Sequence, residues 1–180
     1  MKKKFACILV LIFFLMVPIY VHSKELTQLQ RSNSNSIRAK VDHNKFKVMV
    51  SISNQKVFIY KNGILIKSII CSTGLPGDDT KTPYGHFKID NDYGLNFYND
   101  KYKEGAKYWV GFIGSEYLFH SVPTNKDGQI IQGEAHKLGT EASHGCIRMS
   151  VDNSYWFYRT IPQGTDVIIG KCYSGHALYY

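Results

Sequence analysis

The sequence predicts a mainly β domain with one notable helix, on the basis of three patterns. From residue 45 onward, apolar and polar residues alternate with a period near two, which is typical of half-buried strands. The dipeptide Asn62-Gly63 separates two runs rich in β-branched residues and favours a tight hairpin, because both turn positions need positive φ. Residues 151–161 have helical character, follow a capping residue, Ser150, and precede Pro162.

The predicted strands follow one another along the chain. The segment KFKVMVSIS places every second residue, from Phe46 to Ile52, on one face. The hairpin KVFIYKNGILIKSIICS comes next, and a loop with Gly, Pro and Asp, residues 74–83, follows it. Shorter strands are predicted in YGHFKID, KYWVGFIG and EYLFH, and a last one in GTDVIIG. Residues 125–142 are polar and contain glycine, which predicts a long surface loop of functional interest.

Four segments are expected along the chain. A basic start, MKKK, and an apolar run behind it predict a signal peptide, residues 1–23, with cleavage after Ser23. The apolar run also approaches the ~20 residues that span a bilayer, so an uncleaved anchor is the alternative. Residues 24–41 are polar and are interpreted as a flexible linker. The packed domain is expected over residues 42–172, outside the cytoplasmic membrane in either case, and a C-terminal tail over residues 173–180.

The net charge of the chain limits the classes of binding partner that we expect. The chain carries 22 Lys and Arg residues against 14 Asp and Glu residues, a formal net charge of +8. This modest positive charge suits an anionic surface such as a cell wall or a membrane. The sequence has no basic block and no arginine-rich helix, so it gives little support to nucleic-acid binding.

The cysteines are Cys7, Cys71, Cys146 and Cys172. Cleavage of the signal peptide would remove Cys7 and leave an odd number, so at least one thiol would stay unpaired within the chain. A disulfide between Cys71 and Cys172 is one pairing that leaves Cys146 free, and the sequence alone does not decide it.

The stretch SHGCIRMS, residues 143–150, concentrates side chains with chemical potential. Cys146 is a candidate nucleophile, which needs a nearby group to take its proton, and His120, His136 and His144 are available. His144 lies two positions before the cysteine and shares its face in an extended segment, so it would line the site. Plain apolar burial is the alternative for this thiol, because apolar residues flank it.

Neighbouring residues would complete such a site. Gly145 has no side chain to obstruct a substrate, and its N–H and that of Cys146 are candidate donors to an oxyanion. His120 ends the strand EYLFH, where an imidazole pKa near ~6.5 suits proton transfer, and the Ser121 carbonyl could fix its tautomer. Arg148 would share a face with the cysteine and either bind a substrate carboxylate or form a surface ion pair.

These motifs resemble those of the L,D-transpeptidase catalytic domain family (YkuD-type). SHGCIRMS is similar to the family signature S-H-G-C-h-R/N, and VSISNQKVFIYKNGILIKSIICSTG to the hairpin that opens the family domain. TPYGHFKI resembles the T-P-x-G-x-F-x-I segment, FHSVP the strand that ends in a histidine, and IPQGTDVIIG the closing I-P-x-G-T-x-V-x-I. The similar segments occur in family order over residues 45–170.

The resemblance implies a mixed β-sandwich-like fold and acyl transfer on peptidoglycan stem tetrapeptides. By correspondence with the family, Cys146 attacks the carbonyl of the third stem residue and expels the terminal D-Ala, with His120 as the general base. An amine of a second stem then resolves the acyl-enzyme and forms a 3→3 cross-link. The resemblance also assigns His144 and Gly145 to the oxyanion side of the site, and Ser121 to orienting the base.

Further roles follow from the same resemblance. Arg148, Ser143 and Tyr84 are assigned to binding the substrate or holding the site. The family pattern implies no metal and no cofactor, stem peptides as donor and acceptor, and acylation of Cys146 by carbapenems. It also implies a role in peptidoglycan synthesis and cell-wall biogenesis outside the cytoplasmic membrane.

Several alternatives stay open at the level of the sequence. The stretch between His120 and Cys146 is longer than in many family members and introduces His136 as a second candidate base, although the strand-end position favours His120. Water as the acceptor would make the protein an L,D-carboxypeptidase. A zinc site is another possibility, because histidine and cysteine are common zinc ligands; its ligands would be His120, His136, His144 and Cys146. The H-x-C spacing is unusual for a structural zinc site. A non-catalytic module that binds the cell wall is a third class, and the intact cysteine and histidine motifs count against it.

Overall fold

A nine-stranded mixed sheet is the framework of the described part of the chain, residues 45–174 and 177–179, in the computed structural model. The strand order is β4-β9-β1-β2-β3-β8-β7-β6-β5, and β10 and β11 form a separate antiparallel ribbon. The described residues also include the helices α1 (Gln132–Ala135) and α2 (Val151–Thr160). The strands are β1 (Phe46–Ser51), β2 (Lys56–Lys61), β3 (Ile64–Ser72), β4 (Gly85–Lys88), β5 (Tyr93–Asn99), β6 (Glu104–Ile113), β7 (Tyr117–Ser121), β8 (Ile147–Met149), β9 (Asp166–Gly170), β10 (Cys172–Ser174) and β11 (Ala177–Tyr179).

The sheet curls around a hydrophobic core. β1 pairs with β9 and β7 with β8 in parallel, whereas the other neighbours in the sheet are antiparallel. β4 and β6 stand far apart in the strand order, yet the rings of Phe87 and Phe112 meet edge to face with their centroids 5.6 Å apart. The prediction of a mainly β, sandwich-like fold is confirmed, and one curled sheet supplies both faces of the sandwich.

The first strand and the hairpin form where the sequence predicts them. Phe46, Val48 and Val50 of β1 lie in the core, as the alternating pattern requires. β2 and β3 pair antiparallel across Asn62 and Gly63, whose φ angles are 54° and 80°. Both turn residues thus adopt the left-handed conformation that this dipeptide favours.

The helix α2 covers the strand that carries His120. The side chain of Ser150 caps the helix by accepting a hydrogen bond from the Asn153 N–H, at 3.3 Å. Phe157 is fully buried and stacks on Phe119 of β7, with the ring centroids 4.5 Å apart. The one notable helix of the prediction is therefore confirmed, and its apolar face stabilises β7 from behind.

The sequence patterns do not predict β5, α1 or the β10–β11 ribbon. β5 reads YGLNFYN, and its glycine and asparagines are poor strand formers. Tertiary packing outweighs this propensity, because Trp109 Nε1 lies 2.5 Å from the position that a Cβ on Gly94 would take. The helix α1 lies inside the predicted surface loop, and the ribbon overlaps the predicted C-terminal tail, residues 173–180.

Cys71 is a free thiol that is fully buried in the core. Burial raises its pKa far above the ordinary value of a cysteine. Because Cys71 is a free thiol, it is not paired with Cys172, the pairing that the cysteine count leaves open.

The predicted signal peptide and linker, residues 1–41, lie outside the described residues. Within residues 45–174 and 177–179, neither helix is both long enough and apolar enough to cross a membrane.

We expect Phe157→Ala to lower the free energy of unfolding by about 3–5 kcal/mol, because it removes a fully buried ring that stacks on β7. Chemical denaturation monitored by circular dichroism measures this loss. Tyr155→Ala, in the same helix but with the side chain 49% exposed, is the control and should cost about 1 kcal/mol or less. Equal losses for the two variants would contradict the packing described above.

Candidate active site

Two neighbouring parallel strands bring a histidine and a cysteine to one face of the sheet. In β7 and β8, His120 is paired with Arg148, and Phe119 with Ile147. Because side chains alternate along a strand, Phe119 and Ile147 point into the core, where both are fully buried, and His120 and Arg148 point the other way. Cys146 lies two positions before Arg148 and therefore belongs to the same face as His120.

A cavity of about 530 Å³ opens on this face. Both Cys146 and His120 line it. Its wall therefore combines the predicted nucleophile and base with aromatic contact area and several charged groups. The other lining residues include Phe97, Tyr102, Trp109, Lys101 and the carboxylates Asp79, Glu104 and Glu116.

The ring of His120 is held in one tautomer. Its Nδ1 lies 2.6 Å from the Ser121 carbonyl oxygen, which can only accept, so Nδ1 carries the hydrogen and Nε2 keeps its lone pair. Burial lowers the pKa of His120 to about 4; the Ser121 carbonyl opposes this shift and the positive charge of Arg148 adds to it. The imidazole is therefore neutral at pH 7 and able to accept a proton at Nε2.

The thiol of Cys146 is also neutral at pH 7. Burial raises its pKa to about 11; a backbone hydrogen bond from Leu118 and the charge of Arg148 lower it, and Glu116 raises it. Sγ donates to the Glu116 carbonyl oxygen, at 3.7 Å. The resting pair is therefore a thiol and a neutral imidazole, so a proton has to move as sulfur bonds to a substrate.

The turn that carries Cys146 depends on a glycine. Gly145 has φ +116°, and a Cβ there would lie 2.7 Å from Tyr117 Cε1. Its N–H donates to Ser143 Oγ at 3.1 Å, and this hydroxyl donates to the Cys146 carbonyl at 2.6 Å. The Gly145 N–H thus already has an acceptor, which leaves the Cys146 N–H as the better candidate of the two predicted donors to an oxyanion. Ser143 lines the cavity and is 1% exposed, and both hydrogen bonds of its hydroxyl lie within the turn; its predicted contact with substrate stays a prediction.

A buried threonine fastens this turn to the loop before β4. Thr82 Oγ1 accepts a hydrogen bond from the Gly74 N–H and donates one to the Gly145 carbonyl, each at 2.8 Å. The Ser143 N–H donates to the Thr73 carbonyl at 3.0 Å. Thr82 has no predicted role, although it is the first residue of TPYGHFKI, one of the segments that carry the family resemblance.

Arg148 is held inside the protein by two carboxylates. Its Nη2 lies 2.8 Å from Glu104 Oε2, and its Nη1 donates to Glu134 Oε2 at 3.0 Å and to the Ala142 carbonyl at 3.1 Å. Burial opposes ionisation of Glu134, but Lys137 and Arg148 together hold the pKa of that carboxyl below its usual range. Arg148, with its side chain 5% exposed, thus ties β6 and α1 to the segment before Cys146. Its Nε has no partner among the described residues and Arg148 lines the cavity, so a contact with substrate stays a prediction.

The remaining predicted residues are spread more widely. Tyr84 is exposed and lines a separate shallow depression, so the structure does not bring it to the cavity of Cys146. His136 directly follows α1 in the chain, is exposed and does not line the cavity of Cys146. His144 is exposed at the cavity, where it stacks on Tyr102 with the ring centroids 4.1 Å apart. Of the three candidate bases, His120 is therefore the one that is buried, held in a fixed tautomer and in the wall of the same cavity as Cys146.

Across the described ranges, no three His, Cys, Asp or Glu side chains are grouped so as to hold a metal ion. The fold and the cavity together define the class: a mainly β domain that presents a neutral imidazole from the strand β7 and a thiol from the turn that leads into the neighbouring strand β8.

The family follows from comparison with known proteins. The family model of the L,D-transpeptidase catalytic domain, YkuD, matches residues 45–169, so the chain belongs to this family. A Bacillus subtilis (strain 168) protein named "Putative L,D-transpeptidase YciB" is 44% identical over 124 residues. That match covers 67% of this chain and 63% of the relative, so the chain spans less than two thirds of the relative's length.

Two solved structures are similar over the same domain. One is a fused Zn-dependent amidase/peptidase/peptidoglycan-binding domain-containing protein from Clostridium acetobutylicum ATCC 824, 32% identical with a TM-score of 0.53. That match covers 69% of this chain and 51% of the solved chain. The other is LD transpeptidase LdtMt1 in complex with imipenem, 22% identical with a TM-score of 0.58, with 70% and 59% covered. The second similarity shows a shared fold.

We predict that His120 makes the free energy of unfolding rise with pH between about 4 and 6.5. Its pKa is about 4 in the folded protein against 6.5 ordinarily, so the unfolded state binds the extra proton in this window. The stabilisation of up to about 3 kcal/mol is complete above the upper value and is lost as the pH falls through the lower one. Equilibrium unfolding of the unaltered protein and His120→Gln across this range measures the difference in slope.

The exposed His144 provides the control for this measurement. His144→Gln should keep the slope of the unaltered protein, whereas His120→Gln should flatten it. A His120→Gln protein with an unchanged slope would show that the buried imidazole does not titrate as described.

Proposed function

We propose that this protein is a cysteine-dependent L,D-transpeptidase that acts on peptidoglycan stem tetrapeptides and forms 3–3 cross-links. The observation that carries the proposal is that Cys146 and His120 line one cavity, with His120 Nε2 free to take a proton. Membership of the L,D-transpeptidase catalytic domain family supports the substrate class.

Acylation begins when Sγ of Cys146 attacks the carbonyl carbon of the third stem residue and the thiol proton passes to His120 Nε2. Negative charge develops on the carbonyl oxygen, and the Cys146 N–H is the candidate donor that stabilises it. The intermediate collapses by breaking the peptide C–N bond, and the nitrogen of the leaving D-Ala takes the proton from His120. A thioester on Cys146 remains.

Transfer then reverses these roles. An amine of a second stem attacks the thioester carbonyl and gives a proton to His120. The C–S bond breaks, the new amide forms, and the proton returns to the sulfur of Cys146. Asp79 and Glu116 are exposed at the cavity, and their carboxylates favour the approach of an amine in its cationic form. That amine gives its extra proton to solvent before it attacks.

We further propose that the protein works outside the cytoplasmic membrane. The support for this is the pattern of residues 1–23, a basic start followed by an apolar run, which is typical of a signal peptide. The proposed substrate, peptidoglycan, lies on the same side of that membrane.

Incubation with imipenem should add the full mass of the β-lactam to Cys146, because opening the lactam ring expels no fragment. Cys146→Ala should gain no mass. His120→Gln should acylate about 10²–10⁴-fold more slowly, since it removes the proposed base. Intact-protein mass spectrometry over time, followed by peptide mapping, measures rate and position.

The matched control is His136→Gln, which changes an exposed histidine outside the cavity and should acylate at the unaltered rate. Slow acylation of His136→Gln together with normal acylation of His120→Gln would reverse the assignment of the base.

Incubation with tetrapeptide stems separates the possible activities: a cross-linked dimer supports transfer, and a tripeptide alone identifies an L,D-carboxypeptidase. Stem binding without turnover would identify a non-catalytic module.

A further inference from the structure

We propose that Thr82 is a positioning residue that orients the Cys146 N–H toward the oxyanion. The inference rests on the proposed acyl transfer and adds to it a residue outside the thiol–imidazole pair. Thr82 lies 63 positions before Gly145 in the chain, is 2% exposed and does not line the cavity. It therefore acts through the backbone of the turn and makes no contact with the substrate.

The hydroxyl of Thr82 joins two backbone groups from different parts of the chain. It lies 2.8 Å from the Gly74 nitrogen and 2.8 Å from the Gly145 carbonyl oxygen. An N–H can only donate and a carbonyl can only accept, so the single hydroxyl hydrogen points at Gly145. Accepting the first bond polarises the hydroxyl and strengthens the second.

The Gly145 carbonyl and the Cys146 N–H belong to one peptide unit. Among the described residues all peptide bonds are trans, so these two groups point in opposite directions in one plane. A hydrogen bond that holds the carbonyl toward Thr82 therefore turns the Cys146 N–H away from Thr82. The support is needed because Gly145, at φ +116°, has the wide conformational freedom of glycine, which would let this peptide unit rotate.

The other hydroxyl at the turn holds different peptide units. Ser143 Oγ accepts from the Gly145 N–H and donates to the Cys146 carbonyl, which belong to the units before and after this one. Thr82 thus bonds the unit that Ser143 does not. The loop that carries Thr82 approaches Gly74 so closely that a Cβ on this glycine would overlap the Thr80 carbonyl oxygen.

The orientation of this N–H should change the rate of acylation, and it should leave the intrinsic reactivity of the thiol almost unchanged. Attack of sulfur on a carbonyl carbon places negative charge on the carbonyl oxygen, and a hydrogen-bond donor has to meet that charge. A displacement at saturated carbon, such as alkylation by iodoacetamide, uses the same thiol and expels iodide without forming an oxyanion. The two reactions therefore separate donor geometry from thiol reactivity.

The test compares acylation by imipenem with alkylation by iodoacetamide in Thr82→Val and Thr82→Ser. Thr82→Val removes the hydroxyl at nearly constant volume and should slow acylation about 10- to 100-fold, with alkylation within about twofold of the unaltered protein. Thr82→Ser keeps the hydroxyl and should restore acylation. Thr80→Val is the matched control, since its hydroxyl bonds the Leu75 carbonyl in the same loop and does not reach Gly145.

Two results would overturn the inference about Thr82 and leave the proposed function intact. The first is acylation of Thr82→Val at the unaltered rate. The second is an equal fall in acylation and alkylation, which would mean that Thr82 supports the thiol or the fold in general. If Thr82→Val does not fold, Thr82→Ala against Thr82→Ser makes the same comparison without the second methyl group. Failure of imipenem to acylate the unaltered protein would instead overturn the proposed function, and the inference with it.

Discussion

Parallel pairing of β7 with β8 fixes the relation between the histidine and the cysteine, and much of the surrounding structure serves this pairing. His120 stands opposite Arg148, so the strand register decides that the imidazole and the thiol share a face. Parallel neighbours need a crossover of a dozen or more residues between them, which is what the chain from residue 122 to residue 146 supplies. The long stretch before Cys146 is therefore the crossover that connects two parallel strands. It also brings Glu134 into hydrogen-bond contact with Arg148.

The three-charge cluster of Arg148, Glu104 and Glu134 shows how the crossover is held. One carboxylate comes from β6 and the other from α1 in the loop, and both reach the same guanidinium. Removal of one partner would leave charge in a poorly solvated position, which is costly, whereas the complete set is specific in geometry. The cluster thus ties three segments together and also keeps the positive charge near Cys146 and His120 largely compensated.

Local patterns in the sequence were sufficient for much of the fold. Alternation in β1, the Asn62-Gly63 turn and the Ser150 cap each depend on residues close together in the chain, and these predictions are confirmed. β5 was missed because its stability comes from packing on β6, not from its own composition. In the site, the residue types and the family motifs pointed to Cys146 and His120, and the structure brings these two together. No local signal pairs Thr82 with Gly145 or Glu104 with Arg148, since such contacts join residues far apart in the chain.

The raised pKa of the Cys146 thiol has a consequence for its chemical lifetime. With its pKa raised to about 11, the thiol is almost entirely protonated at pH 7. Peroxides oxidise the thiolate, so this cysteine should pass slowly to sulfenic acid and survive where an exposed, acidic thiol would be consumed. In the proposed mechanism, the proton that protects the sulfur between reactions is the one that passes to His120 when the sulfur attacks a bound substrate.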